Sequence, residues 1–295
     1  MRSVTKAILR RLAPIVICGI AALLVSPAGA QTPVLAPAVA PVAVSNTAVS
    51  PGAAPPILAP QTAFECKTPP EFVRLDQPLR HTARRLAADE PLTIVAIGSS
   101  STRGAGASSP AASYPSRLAA ELGKRFPRDD VTVLNRGVNG EEIDQMLARF
   151  PNDVIAAHPD LVLWQVGTNA VLRDRQLQPD ATMLRDGIKQ IKDAGADALL
   201  MDMQFAPRVL AKPETPDMEG QIARAAKEGS VDLFNRFAVM REWHDVQHMP
   251  FEAFVAPDGL HMNDWGYGCV AKLLAGAITE AATRPVASAA TLTVH

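Results

Sequence analysis

From about Cys66 to Thr283 the chain alternates two periods of hydrophobicity. Short apolar runs rich in β-branched residues read as buried strands: LTIVAIG (Leu92–Gly98), VTVLN (Val131–Asn135), LVLWQVG (Leu161–Gly167), DALLMDM (Asp197–Met203) and Val231–Phe234. The segments between them carry apolar residues at helical spacing. SYPSRLAAELGKRF reads as one helix, and EEIDQMLARF places Ile143, Met146, Leu147 and Phe150 on one face. Further helices are expected around Asp180–Asp193, Met218–Lys227 and Asn263–Ala281. Strands separated by helices imply right-handed βαβ units and a parallel sheet covered on both faces.

In such a sheet ligands gather beyond the carboxyl ends of the strands, near the point where strand order reverses. The first three strands lead into loops of one kind: GSSSTRGAG after the first, NRGVNG (Asn135–Gly140) after the second and GTN (Gly167–Asn169) after the third. Glycine and small polar side chains let backbone N–H groups approach a ligand closely. Far downstream, PDGLHMND holds Asp258 and His261 three residues apart. A serine nucleophile needs a base within hydrogen-bond reach, and that base needs an orienting carboxylate. Asp258 and His261 on one tight turn meet the second need, and a serine of the first loop would meet the first. Acyl transfer also needs donors where negative charge develops. The serine N–H, the Gly140 N–H and the Asn169 amide are suitable, one from each loop.

These blocks resemble the SGNH (GDSL-type) hydrolases. The family's first block, Gly-Asp-Ser, is matched by Gly98-Ser99-Ser100, which makes Ser100 the nucleophile. LNRGVNG matches the second block, ending in the donor Gly140. Gly167-Thr168-Asn169 matches the third and Asp258-Gly259-Leu260-His261 the last. The resemblance spans roughly residues 90–282. It implies a three-layer α/β/α sandwich around a mostly parallel five-stranded sheet of flavodoxin-like type. It also implies a Ser100–His261–Asp258 triad, an oxyanion hole of Ser100, Gly140 and Asn169, and carboxylic ester substrates, with no metal or organic cofactor. Two positions depart from the family pattern. Ser99 replaces the aspartate that supports the nucleophile loop, and Ala170 stands where many members carry aspartate. Altered loop support with the nucleophile retained is the expectation. A transferase of the same fold, passing the acyl group to a sugar hydroxyl, would use the same residues. A tethered glycan-binding module with a decayed site is a reading of a different class.

Gln204 and Arg208 follow the fourth strand and are candidates for the substrate mouth, alongside a plain loop-packing role. Trp164 and Trp243 are expected in the core. His244 and His248 in WHDVQH have the spacing of a metal pair, but Asp245 stands where a zinc-protease motif has glutamate and no third ligand follows at a defined offset. An ordinary helix end carrying two histidines is the preferred reading.

The N-terminus has a different character. Arg2, Lys6, Arg10 and Arg11 precede the apolar run Leu12–Val25, and SPAGA places small residues at Ala28 and Ala30. That is the layout of a signal peptide over residues 1–30, cleaved after Ala30, for a periplasmic or secreted protein. An uncleaved anchor is the alternative, although the run is shorter than the ~20 residues of a membrane span. Residues 31–64, rich in Ala and Pro and free of charge, read as an extended linker. The globular part is expected over 65–283, with a short tail at 284–295. Composition adds limits on partners. The 295-residue chain holds 29 basic and 30 acidic residues, and the leader would remove four basic groups and no acidic ones, leaving a net charge of −5. That argues against nucleic acid as a partner. Export would also leave only Cys66 and Cys269, either bonded in an oxidising compartment or present as two buried thiols.

Overall fold

The structure, a computed structural model, describes residues 64–174 and 178–284. The expected signal peptide, the linker up to residue 63 and the tail beyond residue 284 lie outside the described residues. Five strands form one sheet in the order β2-β1-β3-β4-β5: β1 (Leu92–Gly98), β2 (Val131–Gly137), β3 (Leu161–Gln165), β4 (Asp197–Met201) and β5 (Asp232–Phe234). Every neighbouring pair is parallel.

The sheet is buried on both faces because successive side chains of each strand point to opposite sides. Ile94 and Ala96 of β1 enter one core with Leu118, Leu122, Leu274 and Ile278, carried by the helices Tyr114–Arg125 and Asp264–Thr283. Val95 and Ile97 enter the opposite core with Ile143, Met146, Leu184, Ile188 and Ile222, from the helices Ile143–Ala148, Gln178–Asp193 and Thr215–Gly229. The α/β/α sandwich and its flavodoxin-like strand order are those expected. Trp164 and Trp243 are fully buried as expected, Trp164 edge-on to Phe150 and Trp243 edge-on to Phe254 and Trp265.

Helix ends follow local chemistry that the periodicity did not resolve. Asn263 is the cap of the last helix and not its first residue, because its side chain accepts from the Gly266 N–H at 3.0 Å. Glu142 and Gln145 form a reciprocal capping box, so the helix expected from Glu141 begins at Ile143. Arg80–Ala87 and Arg236–Arg241 are helices that periodicity did not reveal. No helix among the described residues is long and apolar enough to cross a membrane. Cys66 and Cys269 are joined in a disulfide that ties the start of the described chain to the last helix.

Strand order fixes where the loops converge. From β1 the chain steps outward to β2 and then crosses back over β1 to reach β3, so the order reverses between β1 and β3. In register, Gly98 pairs with Gly137 and Ile97 with Trp164, so β1, β2 and β3 release their loops side by side.

Candidate active site

The first loop leaves β1 through Ser99 and at once forms a single helical turn, Ser100–Arg103, closed by Gly104 at φ +103°. The three consecutive serines separate by environment. Ser99 is 2% exposed and gives both its N–H and its hydroxyl to Gln165 Oε1, each at 3.0 Å. Ser101 is 1% exposed and its oxygen accepts from Arg236 Nη1 at 3.1 Å. Only Ser100 is half-exposed. Gln165 thus supplies the loop support expected to change with Ser99, and Ala170 packs into the core.

The distant loop brings His261 and Asp258 to Ser100. Asp258 Oδ1 accepts from the N–H groups of Leu260 and His261, both at 3.0 Å, while Oδ2 lies 2.5 Å from His261 Nδ1. Gly259 makes this turn at φ +66°, a left-handed backbone that costs glycine little. With the imidazole proton on Nδ1 beside the carboxylate, Nε2 is left to accept, and it lies 2.8 Å from Ser100 Oγ. Burial raises the Asp258 carboxyl, but the hydrogen bonds from the His261 ring and from the two N–H groups outweigh it and hold it below its ordinary value. It is therefore ionised at neutral pH.

Packing holds the two loops together across more than 150 residues of sequence. A Cβ on Gly106 would lie 2.6 Å from the Met262 carbonyl oxygen and 2.8 Å from His261 Cβ. The Tyr267 hydroxyl donates to Ala105 O at 2.7 Å, and Asp264 accepts from the N–H and hydroxyl of Ser108.

The second and third loops close the other side. Gly137 sits so near the Ser100–Arg103 turn that a Cβ there would fall 2.1 Å from Arg103 N. Asn135 shapes this junction, its amide donating to Thr102 O at 2.9 Å and its oxygen accepting from Gly137 N. Gly140 turns at φ +78°, and its carbonyl accepts from Arg173 Nη2 at 2.8 Å. Asn169 is half-buried and gives one amide N–H to Glu141 O at 2.8 Å, which fastens the third loop to the second. The amide retains a second N–H for a ligand. Beneath them Arg149 donates to Arg136 O and to Glu141.

Of the two residues singled out after the fourth strand, one is buried and one is exposed. Gln204 is 1% exposed, and its amide is engaged by Thr168, Arg236 and Leu260. It lies beneath the loops, among these partners. Arg208 is exposed beside the histidine loop, its N–H donating to Gly259 O and its stem 3.8 Å from the position of a Gly259 Cβ. His244 stacks on Phe251 at 4.0 Å and its Nδ1 bonds Met249 O. The backbone at Glu242–Val246 is a π-turn, so His244 and His248 do not share the face of a regular helix. Gln165, Arg149 and Arg236 belong to no motif that marks them in the sequence. Nothing in sequence distinguishes a buried polar residue at a strand end from a solvated one.

The reversed parallel sheet, with four glycine-rich or histidine-bearing loops meeting above its switch point, is the arrangement expected of the SGNH type. The sequence profile of the non-GDSL lipase-like family matches residues 65–284, and the chain belongs to that family. An arylesterase from Vibrio mimicus is 29% identical over 140 residues, covering 45% of this chain and 62% of the relative, so that match spans about three fifths of the relative's length. Thioesterase 1/protease 1/lysophospholipase L1 of Escherichia coli K12 is 29% identical over 182 residues, covering 62% of this chain and 79% of the relative. The fold is shared with a two-domain esterase active on acetylated mannans at a TM-score of 0.60 and 22% identity, over 72% of this chain and 55% of that one. It is shared too with a variant of Axe2, an acetylxylan esterase from Geobacillus stearothermophilus. There the TM-score is 0.55 at 21% identity, over 63% of this chain and 94% of that one.

Proposed function

We propose that the protein is an exported serine esterase that removes short acyl groups, chiefly acetyl, from carboxylic esters. The observation that carries this is the chain Ser100 Oγ–His261 Nε2 at 2.8 Å and His261 Nδ1–Asp258 Oδ2 at 2.5 Å. His261 Nε2 takes the Ser100 proton as Oγ attacks the ester carbonyl, and Asp258 stabilises the imidazolium that forms. The N–H groups of Ser100 and Gly140 and the free N–H of Asn169 receive the developing oxyanion. Collapse of the tetrahedral intermediate returns the proton from His261 to the leaving alcohol and leaves an acyl-Ser100 ester. Water, deprotonated by the same Nε2, then releases the acid and restores Ser100.

Export rests on the leader-like residues 1–30, and a disulfide between the two remaining cysteines suits an oxidising compartment. Acetyl esters on glycans are favoured as substrates by the acetyl esterases that share the fold. The test is hydrolysis of a panel of short acyl esters and acetylated glycans by the purified protein beside Ser100→Ala, with fluorophosphonate labelling followed by peptide mass spectrometry. Loss of activity on the order of 10⁴–10⁶-fold in Ser100→Ala, with the label on Ser100, is expected. Equal inactivity of both proteins across the panel overturns the reading.

A further inference from the structure

Under the site lies a charged side chain that the reaction does not use. Arg236 opens the Arg236–Arg241 helix after β5 and is fully buried. A guanidinium so placed needs partners for its donors, and both terminal nitrogens have them. Nη1 donates to Ser101 Oγ at 3.1 Å, next in sequence to Ser100. Nη2 donates to Asp202 O and, at 3.0 Å, to Gln204 Oε1. That same Gln204 oxygen accepts from Thr168 Oγ1 at 3.1 Å, beside Asn169, and Gln204 Nε2 donates to Leu260 O at 3.2 Å, beside His261.

We propose that Arg236 and Gln204 are positioning residues that hold Ser100, Asn169 and His261 in register through one buried bond to each of their three loops. The three attachment points, Ser101, Thr168 and Leu260, are each the immediate chain neighbour of a residue facing the site. They come from three loops spread over 160 residues, and all of them are buried. Catalytic geometry tolerates little error, since a misplacement of about 1 Å can lower a rate by about 10²-fold. A pair of planar groups fixed on both sides constrains such placement better than flexible surface contacts.

Asp202 supplies the negative charge that most favours the Arg236 guanidinium. Asp202 Oδ1 accepts from the Phe237 N–H at 3.0 Å, which anchors the carboxylate. Glu219 also faces Asp202. Burial and then the Asp202 charge push the Glu219 carboxyl far up, so it remains protonated beside one ionised partner. Arg236, Asp202 and Glu219 together are then neutral, and the pair can sit in the core without a stray charge.

This inference rests on the esterase reading of Ser100 and His261, and its test is separable from that reading. Ser101→Ala and Thr168→Val each remove one bond on different loops, and neither residue is hydrogen-bonded to the other. In the full chain each is expected to lower kcat on a short acyl ester about tenfold, with KM within a factor of about three; Thr168→Val should change Tm little, whereas Ser101→Ala, which leaves a buried Arg236 donor without its acceptor, should lower it. Because both act through Arg236–Gln204, the double variant should lose less than the product of the two, and Ser101→Ala should add nothing in an Arg236→Met background. Arg236→Lys keeps the charge without the planar fork and should resemble Arg236→Met. The proton NMR signal of His261 Nδ1–H, read without substrate, should shift or broaden in the single variants. The proposal is overturned if Ser101→Ala and Thr168→Val leave both kcat and that signal at wild type, if their effects are strictly multiplicative, or if Arg236→Lys restores the full rate. A wild type that hydrolyses no ester refutes the esterase reading, and the imidazole signal alone then decides the register.

Discussion

Gln165 accepts through a single side-chain oxygen from both the N–H and the hydroxyl of Ser99, at 3.0 Å each, in a part of the core that water does not reach. The third strand thereby holds the turn that presents Ser100. Replacing Gln165 with Leu leaves two donors buried without an acceptor. An unsatisfied buried polar group costs about 1–3 kcal/mol, so the loss of stability for Gln165→Leu is expected at or above about 2 kcal/mol by urea denaturation. Ser99→Ala removes only the hydroxyl partner and should cost about 1 kcal/mol. If the two variants are equally stable, Gln165 is not what supports the turn.

Gly106 makes its own demand on shape. Its φ is +85°, and any Cβ would press on His261 Cβ at 2.8 Å and on the Met262 carbonyl at 2.6 Å. Gly106→Ala is expected to cost about 1–3 kcal/mol and to lower kcat through displacement of the imidazole. Gly123→Ala is the control, because a Cβ there meets nothing within 4 Å. Thermal melts and ester hydrolysis of both variants check the contrast, and equal behaviour would remove the steric argument.

The Cys66–Cys269 disulfide closes a loop of 203 residues. Loss of a cross-link widens the unfolded ensemble, and removing a native one costs typically about 2–5 kcal/mol. Cys66→Ser with Cys269→Ser should lower Tm, and reductant should move the wild type toward the same value while leaving the double variant unchanged. A wild-type Tm insensitive to full reduction, verified by thiol titration, contradicts this expectation.

Two carboxyl groups shape stability with pH in opposite senses. Glu219 is raised from an ordinary value of 4.5, by burial first and then by Asp202. A group raised in the folded state contributes stability that is fully present below its unfolded value and is lost as pH rises through the folded one. Stability should therefore decline with pH above about 4.5 through this group. Asp258 is lowered from 3.8, so its contribution is present above that value and is lost as pH falls through the lower folded one. Glu219→Gln mimics the protonated acid and should gain on the wild type progressively from pH 5 to pH 9. Denaturant titrations across that range read the difference directly, and a constant gap between the two proteins would show that Glu219 does not titrate in this way.

How much of this was legible beforehand follows from which signals are local. Alternation of β-branched runs with helical periods is written residue by residue, so the chain alone determined the parallel sandwich. The four loop blocks are local too, since glycine, serine, asparagine and Asp-x-x-His spacing record the backbone turns they must make. The Gly98-Ser99-Ser100 block singles out Ser100 among three adjacent serines, but the burial that separates Ser99 and Ser101 from it depends on Gln165 and Arg236, 66 and 135 positions away in the chain. Gln204 shows the same limit from the other side. A polar residue after a strand carries the same letters whether it faces solvent or lies beneath the loops, and only tertiary packing placed its amide against Thr168, Leu260 and Arg236. Secondary structure and turn chemistry arise from neighbours in sequence. The partners of a buried polar group come from segments brought together by the hydrophobic effect, and that effect has no directional code in the sequence.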